Sequence, residues 1–176
     1  GPDSAGIAIY SEETIGRAKM TVQSDAPETA FKGLDTVLSE AISASVSMQV
    51  RSTHAILDIP TGSTADVRSE LTKLGIRVMS RGNNLEIYKE VGLPQDVAAQ
   101  FDITTMSGSH GIGHTRMATE SAVTTMGAHP FNTGEDQCLV HNGSLSNHNS
   151  LRRKLRREGI HIETENDTEV GAAYLT

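Results

Sequence analysis

The sequence predicts a mixed α+β domain, and three observations predict it. Short segments alternate between apolar and polar residues with the period of a strand, as in Arg17 to Gln23. Others repeat apolar residues at helical spacing, as in Leu34, Val37, Leu38, Ala41 and Ile42. Hydrophobic residues make up 36% of the 176 residues while Trp is absent, so the core must be aliphatic.

In chain order, Gly6 to Tyr10 suits a buried strand. Ala18, Met20 and Val22 mark one face of a strand expected to pair with it across the polar turn Ser11 to Gly16. The Leu34 helix follows, then extended structure over Met48 to Val50 and Ile56 to Ile59. A second helix has Ser63 as its cap, Val67, Leu71 and Leu74 on one face, and Gly75 as its stop. Ile76 to Met79 and Leu85 to Val91 are expected strands, joined as a hairpin by Arg81-Gly-Asn-Asn84. Pro94 opens a short helix to Phe101. Residues 27–102 are therefore expected to form an inserted small α/β lobe, with a core of 1–26 and 103–176. The glycine-rich run from Ser107 to Arg116 excludes a helix. Gln137 to Val140 and Ile160 to Glu163 are expected strands. Asn147 caps one helix, with Leu151 and Leu155 inward and Gly159 as its stop, and Asp167 opens another.

The formal charge of −7 repels nucleic acid and anionic membranes on average. Scarce aromatics remove stacking platforms for bases. With Cys138 as the only cysteine, no disulfide forms within these residues, which fits a reducing, cytoplasmic setting. No apolar run reaches the length of a membrane span. The basic run Arg152 to Arg157 reads as a solvated helix face with cations near its C-terminal end, where the helix dipole favours them. His54 and Asp58 read as surface or structural residues.

Polar residues suited to chemistry crowd the last third: His110, His114, Arg116, Thr119, Glu120, His129, His141, Asn142, His148 and Asp167. His110 and His114 have the spacing with which a helix grips zinc, but Gly108, Gly111 and Gly113 argue against a helix, and no metal is expected. Taken alone, Arg116 would be a surface ion-pair residue, Asp167 an N-cap, Asn142-Gly143 a hairpin turn, and His129-Pro130 a loop element.

Five motifs in order change that reading: Gly113-His-Thr-Arg-Met-Ala-Thr119, Ala128-His-Pro-Phe131, Leu139-Val-His-Asn-Gly143, Leu151-Arg with Gly159, and Asp167-Thr-Glu-Val170. Together with the opening Gly1-Pro-Asp-Ser-Ala-Gly6, they resemble the class II, N-terminal-nucleophile glutamine amidotransferases over residues 1–24 and 104–176. The finer likeness is to the amidotransferase-like subunit of N-methylglutamate synthase, a relative of glutamate synthase.

The resemblance implies an αββα sandwich: two stacked, mainly antiparallel sheets with helices outside. It implies that Arg116 and Thr119 hold the α-carboxylate of glutamine and Asp167 its α-ammonium. It makes Asn142 and Gly143 an oxyanion hole. It implies release of ammonia to a partner synthase subunit or domain, hence a hetero-oligomer. No cofactor is expected in this chain, and a flavin would belong to the partner. Glu120 stands where several relatives carry another residue. The family attacks with an N-terminal cysteine, which these residues lack. Cys138 reads as a buried structural thiol, both ends read as cut, and the fragment is expected to be inactive. The competing expectation is a non-catalytic glutamine-binding or scaffolding subunit with the same fold.

Overall fold

The computed structural model describes residues 3–117 and 122–176. The chain runs β1 (Ser4–Tyr10), β2 (Arg17–Gln23), α1 (Pro27–Ala30), α2 (Leu34–Ile42), β3 (Ser47–Arg51), β4 (His54–Pro60), α3 (Thr64–Lys73), β5 (Arg77–Gly82), β6 (Leu85–Val91), α4 (Pro94–Gln100), β7 (His110–Arg116), β8 (Phe131–Asn132), β9 (Cys138–Leu139), α5 (His148–Arg157) and α6 (Asp167–Tyr174). Two stacked sheets organise it. One has the order β6-β1-β7 and the other β3-β4-β2-β5, and every pairing in them is antiparallel. The short pair β8-β9 forms a third ladder. The fold is α+β, as the sequence predicts.

Strand alternation sets the layers. On the β3-β4-β2-β5 sheet, Met20, Val22, Leu57 and Ile59 pack against Leu34 and Leu38 of α2 and Val67 and Leu71 of α3. Burying one such side chain contributes about 1.5–3 kcal/mol before entropy is counted. Between the sheets, Ala5 and Tyr88 meet Ile56, with Val97 of α4 and its C-cap Phe101 closing the cluster. A polar bond also crosses here: Ile87 N–H donates to Thr21 Oγ1, which accepts from the Ser80 hydroxyl within its own sheet. The outer face of the β6-β1-β7 sheet carries Ala8, Leu85 and Ile87, with Cys138 packed against them.

Strand partners differ from expectation. β1 pairs with β6 and β7, while β2 lies between β4 and β5. The polar segment 11–16 therefore crosses between sheets instead of turning a hairpin. Alternation fixes which face a strand buries, not which strand lies beside it. Arg81 to Asn84 likewise joins strands of different sheets. The N–H groups of Asn83, Asn84 and Leu85, which no hairpin ladder satisfies, donate to the Asp136 carboxylate at 2.7, 2.9 and 3.0 Å.

These pairings also cross the expected 27–102 border. β6 lies along all of β1, and β2 is flanked on both sides by strands of that segment. Residues 160–163 are irregular rather than a strand. Ile162 there packs with Leu155 and Val170, so apolar content reflects burial between α5 and α6.

Helix punctuation is mostly as read. Gly75 and Gly159 end their helices at φ +70° and +85°, a backbone region that favours glycine. Ser63 and Asn147 stand at the expected cap positions without making side-chain cap bonds.

Candidate active site

Three residues lie side by side across one sheet: Lys89 on β6, Gly6 on β1 and His114 on β7. Cross-strand partners present side chains to the same face. Loop 126–130 lies over this row. A Cβ on Gly6 would stand 2.1 Å from the His129 carbonyl oxygen. The His114 and His129 rings lie 4.3 Å apart, tilted by 32°.

Arg116 ends β7, and its Nη1 donates to the carbonyl of Gly127 at 3.3 Å and of Ala122 at 3.5 Å. The Gly127 carbonyl also accepts from Asn166 Nδ2 at 3.2 Å. Asn166 is the N-cap of α6, its side chain accepting from Thr168 N–H at 2.9 Å. The cap expected at Asp167 is thus supplied one residue earlier. This leaves the Asp167 carboxylate for another partner, and its Oδ2 accepts from Leu145 N–H at 2.7 Å. His129 Nε2 and Thr168 Oγ1 share a bond of 2.8 Å, a second tie from the loop to the first turn of α6.

The remaining pair sits on the segment entering from β9. Leu145 is fixed by Asp167, and His141 lies near enough to His114 to affect its titration. Asn142 and Gly143 lie between these anchors, both exposed. Gly143 has φ +155°, and a Cβ there would meet the His141 ring at 3.0 Å. Gly171 lets α6 approach, since a Cβ on it would be 3.3 Å from both Leu139 and Leu145.

The structure thus ties Arg116, Asp167 and the Asn142-Gly143 segment into one neighbourhood. Thr119 and Glu120 lie outside the described residues. A cavity of about 540 Å³ on the Lys89 and Glu169 side is lined by none of the predicted site residues. Its lining mixes apolar side chains with Arg81, Lys89, Glu163, Glu169 and Asn132.

Electrostatics distinguishes the histidines. Burial holds His129 down to about 3, helped by His114, Lys89 and Arg116, while Asp167 pulls the other way. His114 is lowered by burial, then by Arg116 and His141. Neutral imidazoles therefore stand beside Arg116. The Nδ1 atoms of His114, His129 and His141 are buried without a hydrogen-bond partner among the described residues. β7 is extended, so His110 stacks on Tyr10 at 4.2 Å while His114 meets His129. Among the described residues no group of three His, Cys, Asp or Glu side chains is placed to hold a metal ion. Burial raises the Cys138 thiol, which accepts from the Tyr10 hydroxyl at 3.6 Å. A raised thiol is a poor nucleophile at neutral pH.

Lys89 and Asn166 are the residues that sequence reading passed over. A signal for Lys89 was present, because it shares the strand face of Leu85 and Ile87.

Residues 99–175 match the family model of the glutamine amidotransferase domain. Over these residues the resemblance to class II glutamine amidotransferases holds. Over 178 aligned residues the chain is 62% identical to the glutamine amidotransferase-like protein GlxB of Rhizobium meliloti (strain 1021), covering 100% of this chain and 59% of GlxB. It is 40% identical over 99 residues to a glutamine–fructose-6-phosphate aminotransferase (isomerizing) of Methanosarcina acetivorans, covering 54% of this chain and 16% of that protein. The corresponding enzyme of Idiomarina loihiensis is 35% identical over 101 residues, 57% of this chain and 17% of that protein. No helix among the described residues is long and apolar enough to cross a membrane.

Proposed function

We propose that the protein containing these residues binds glutamine at this neighbourhood, frees ammonia from its side-chain amide and passes it to a partner synthase subunit. The observation that carries this reading is the shared Gly127 carbonyl. It accepts from both Arg116 and Asn166, and so joins a cation at the end of β7 to the helix turn that bears Asp167. A cation and a carboxylate held on one scaffold suit the two charged ends of an α-amino acid. Arg116 offers a planar fork to the carboxylate. Asp167 offers a carboxylate to the ammonium. The Asn142 amide and the Gly143 N–H are exposed donors for an oxyanion. The nucleophile in this reading is a cysteine other than Cys138, and the low-titrating His114 and His129 add no positive charge beside Arg116.

N-methylglutamate or glutamate synthase chemistry in the partner, and a flavin there, complete the proposal. The second reading is a glutamine-binding or scaffolding subunit of the same fold without turnover. The test is glutamine binding and ammonia release by the full-length protein and its Arg116→Ala variant. Binding with turnover supports the amidotransferase. Binding without turnover supports the second reading. Binding unchanged by Arg116→Ala rejects the site. An unpaired buried α-carboxylate costs on the order of 2–5 kcal/mol.

A further inference from the structure

Lys89 is 3% exposed, and its ammonium has no acidic partner within ion-pair distance among the described residues. Its Nζ instead donates to three backbone carbonyls: Ala128 at 2.8 Å, and Met126 and Pro130 at 3.2 Å each. An ammonium has three donors, and all three are used. The charge also stands 4.4 Å from the centre of the Phe131 ring. Burial pushes this lysine down to about 7, while Glu169 and Glu163 pull it back up. Removing an ammonium from water is expensive, and an apolar residue of similar volume would fill the same space at less cost. What an apolar residue cannot do is grip carbonyls.

The carbonyls gripped belong to alternate residues of one loop, Met126, Ala128 and Pro130. The residues between them face the candidate site. Gly127 presents the carbonyl that Arg116 and Asn166 share, and His129 presents the ring that bonds Thr168. The lysine therefore holds one side of a strap whose other side sets the spacing between Arg116 and the first turn of α6. Gly6, beside Lys89 in the register, leaves room for the strap to lie on the sheet.

We propose that Lys89 is a positioning residue for the glutamine site, clamping loop 126–130 so that Arg116 and Asp167 stand at the spacing of an α-amino acid's charged groups. This rests on the glutamine reading above. Lys89 touches no substrate. It acts through Gly127 on Arg116 and through His129 on α6.

The test is a double-mutant cycle in the full-length protein, with glutamine affinity read by calorimetry. Lys89→Met should weaken glutamine binding by about 10- to 100-fold, the scale seen for supporting contacts behind a site. In an Arg116→Lys background, which has already lost the fork, the same change should cost less than a third of that factor. General destabilisation would give equal factors in both backgrounds, and that result overturns the proposal. So does Lys89→Met binding glutamine as the parent does. If Lys89→Met does not fold, Lys89→Gln keeps two amide donors and should give an intermediate loss that is again smaller beside Arg116→Lys. If the parent binds no glutamine, the glutamine reading fails by itself. The clamp is then judged by amide exchange, which should quicken over residues 126–130 in Lys89→Gln and stay unchanged in β2 and β4. Unchanged exchange in 126–130 overturns it.

Discussion

A Cβ on Gly6 would lie 2.1 Å from the His129 carbonyl oxygen and 2.6 Å from Lys89 Cβ. Neither neighbour is the free end of a flexible side chain, so the loop over the sheet would have to lift. Gly6→Ala is expected to destabilise by about 1–3 kcal/mol, the usual cost of overpacking, and to weaken glutamine binding with it. Denaturant midpoints and calorimetry check the two effects, and an unchanged midpoint would show that the loop is not seated as described. Asn142 and Cys138 separate chemistry from structure at the same scale. Asn142→Ala in the full-length protein should lower kcat by about 10²- to 10³-fold with a smaller change in KM, because an oxyanion donor matters most in the transition state. Cys138→Ser should leave turnover intact, since that thiol is raised by burial and occupied by Tyr10. Turnover abolished by Cys138→Ser would move the nucleophile to β9.

The element that joins fold to site is α6. Its N-cap, Asn166, accepts from Thr168 N–H and donates to Gly127 through the same amide group. Glu169, in the first turn, accepts from Glu163 N–H at 2.7 Å and Thr164 N–H at 2.6 Å, which fixes the preceding irregular segment. Arg152 of α5 is buried and donates to the Thr164 and Asn166 carbonyls, and Arg156 donates to that of Ile162, so the basic run is structural as well as solvated. Asn166→Ala is expected to cost about 0.5–2 kcal/mol as a lost cap. It should also weaken glutamine binding, whereas Asn166→Asp keeps the cap and exchanges the donor facing the Gly127 carbonyl for an acceptor. Thermal midpoints near the parent value for Asn166→Asp, together with reduced glutamine affinity, would separate the two jobs. The start of this helix was legible in Asp167-Thr-Glu-Val170 because acids favour a first turn. Its cap was read one residue late, since Asn and Asp satisfy the same N–H groups and sequence alone does not choose between adjacent candidates.

At the scale of the whole molecule, faces were legible and partners were not. Ala18, Met20 and Val22 were read as a buried face and are buried, but β2 lies in the sheet opposite β1. Period-two alternation holds no information on which strand comes next in a sheet, and a polar turn of six residues permits either a hairpin or a crossing. His54 shows the same limit on polar residues. It reads as surface or structural, and the structure places it wholly buried between the Tyr88 and Phe101 rings, with Nε2 unpartnered among the described residues. That placement has a consequence for stability against pH. Burial, then the charge of Lys89, depresses His54 from 6.5 to about 3. The unfolded chain therefore binds a proton between pH 6.5 and 3 that the folded chain refuses. Stability is greatest above 6.5 and falls as pH drops through that window, by on the order of 1.4 kcal/mol per pH unit for one such group. His129 is depressed in the same direction and adds to the loss. His54→Phe keeps an aromatic ring between Tyr88 and Phe101, and Thr53 retains its bond to Glu90 at 3.1 Å. The variant's unfolding free energy, followed from pH 7 to pH 4 by denaturant titration, should decline less steeply than the parent's by about one proton. Parallel declines would mean that His54 is protonated in the folded state, and the packing of the three rings would then need a charge that this core has no partner to receive.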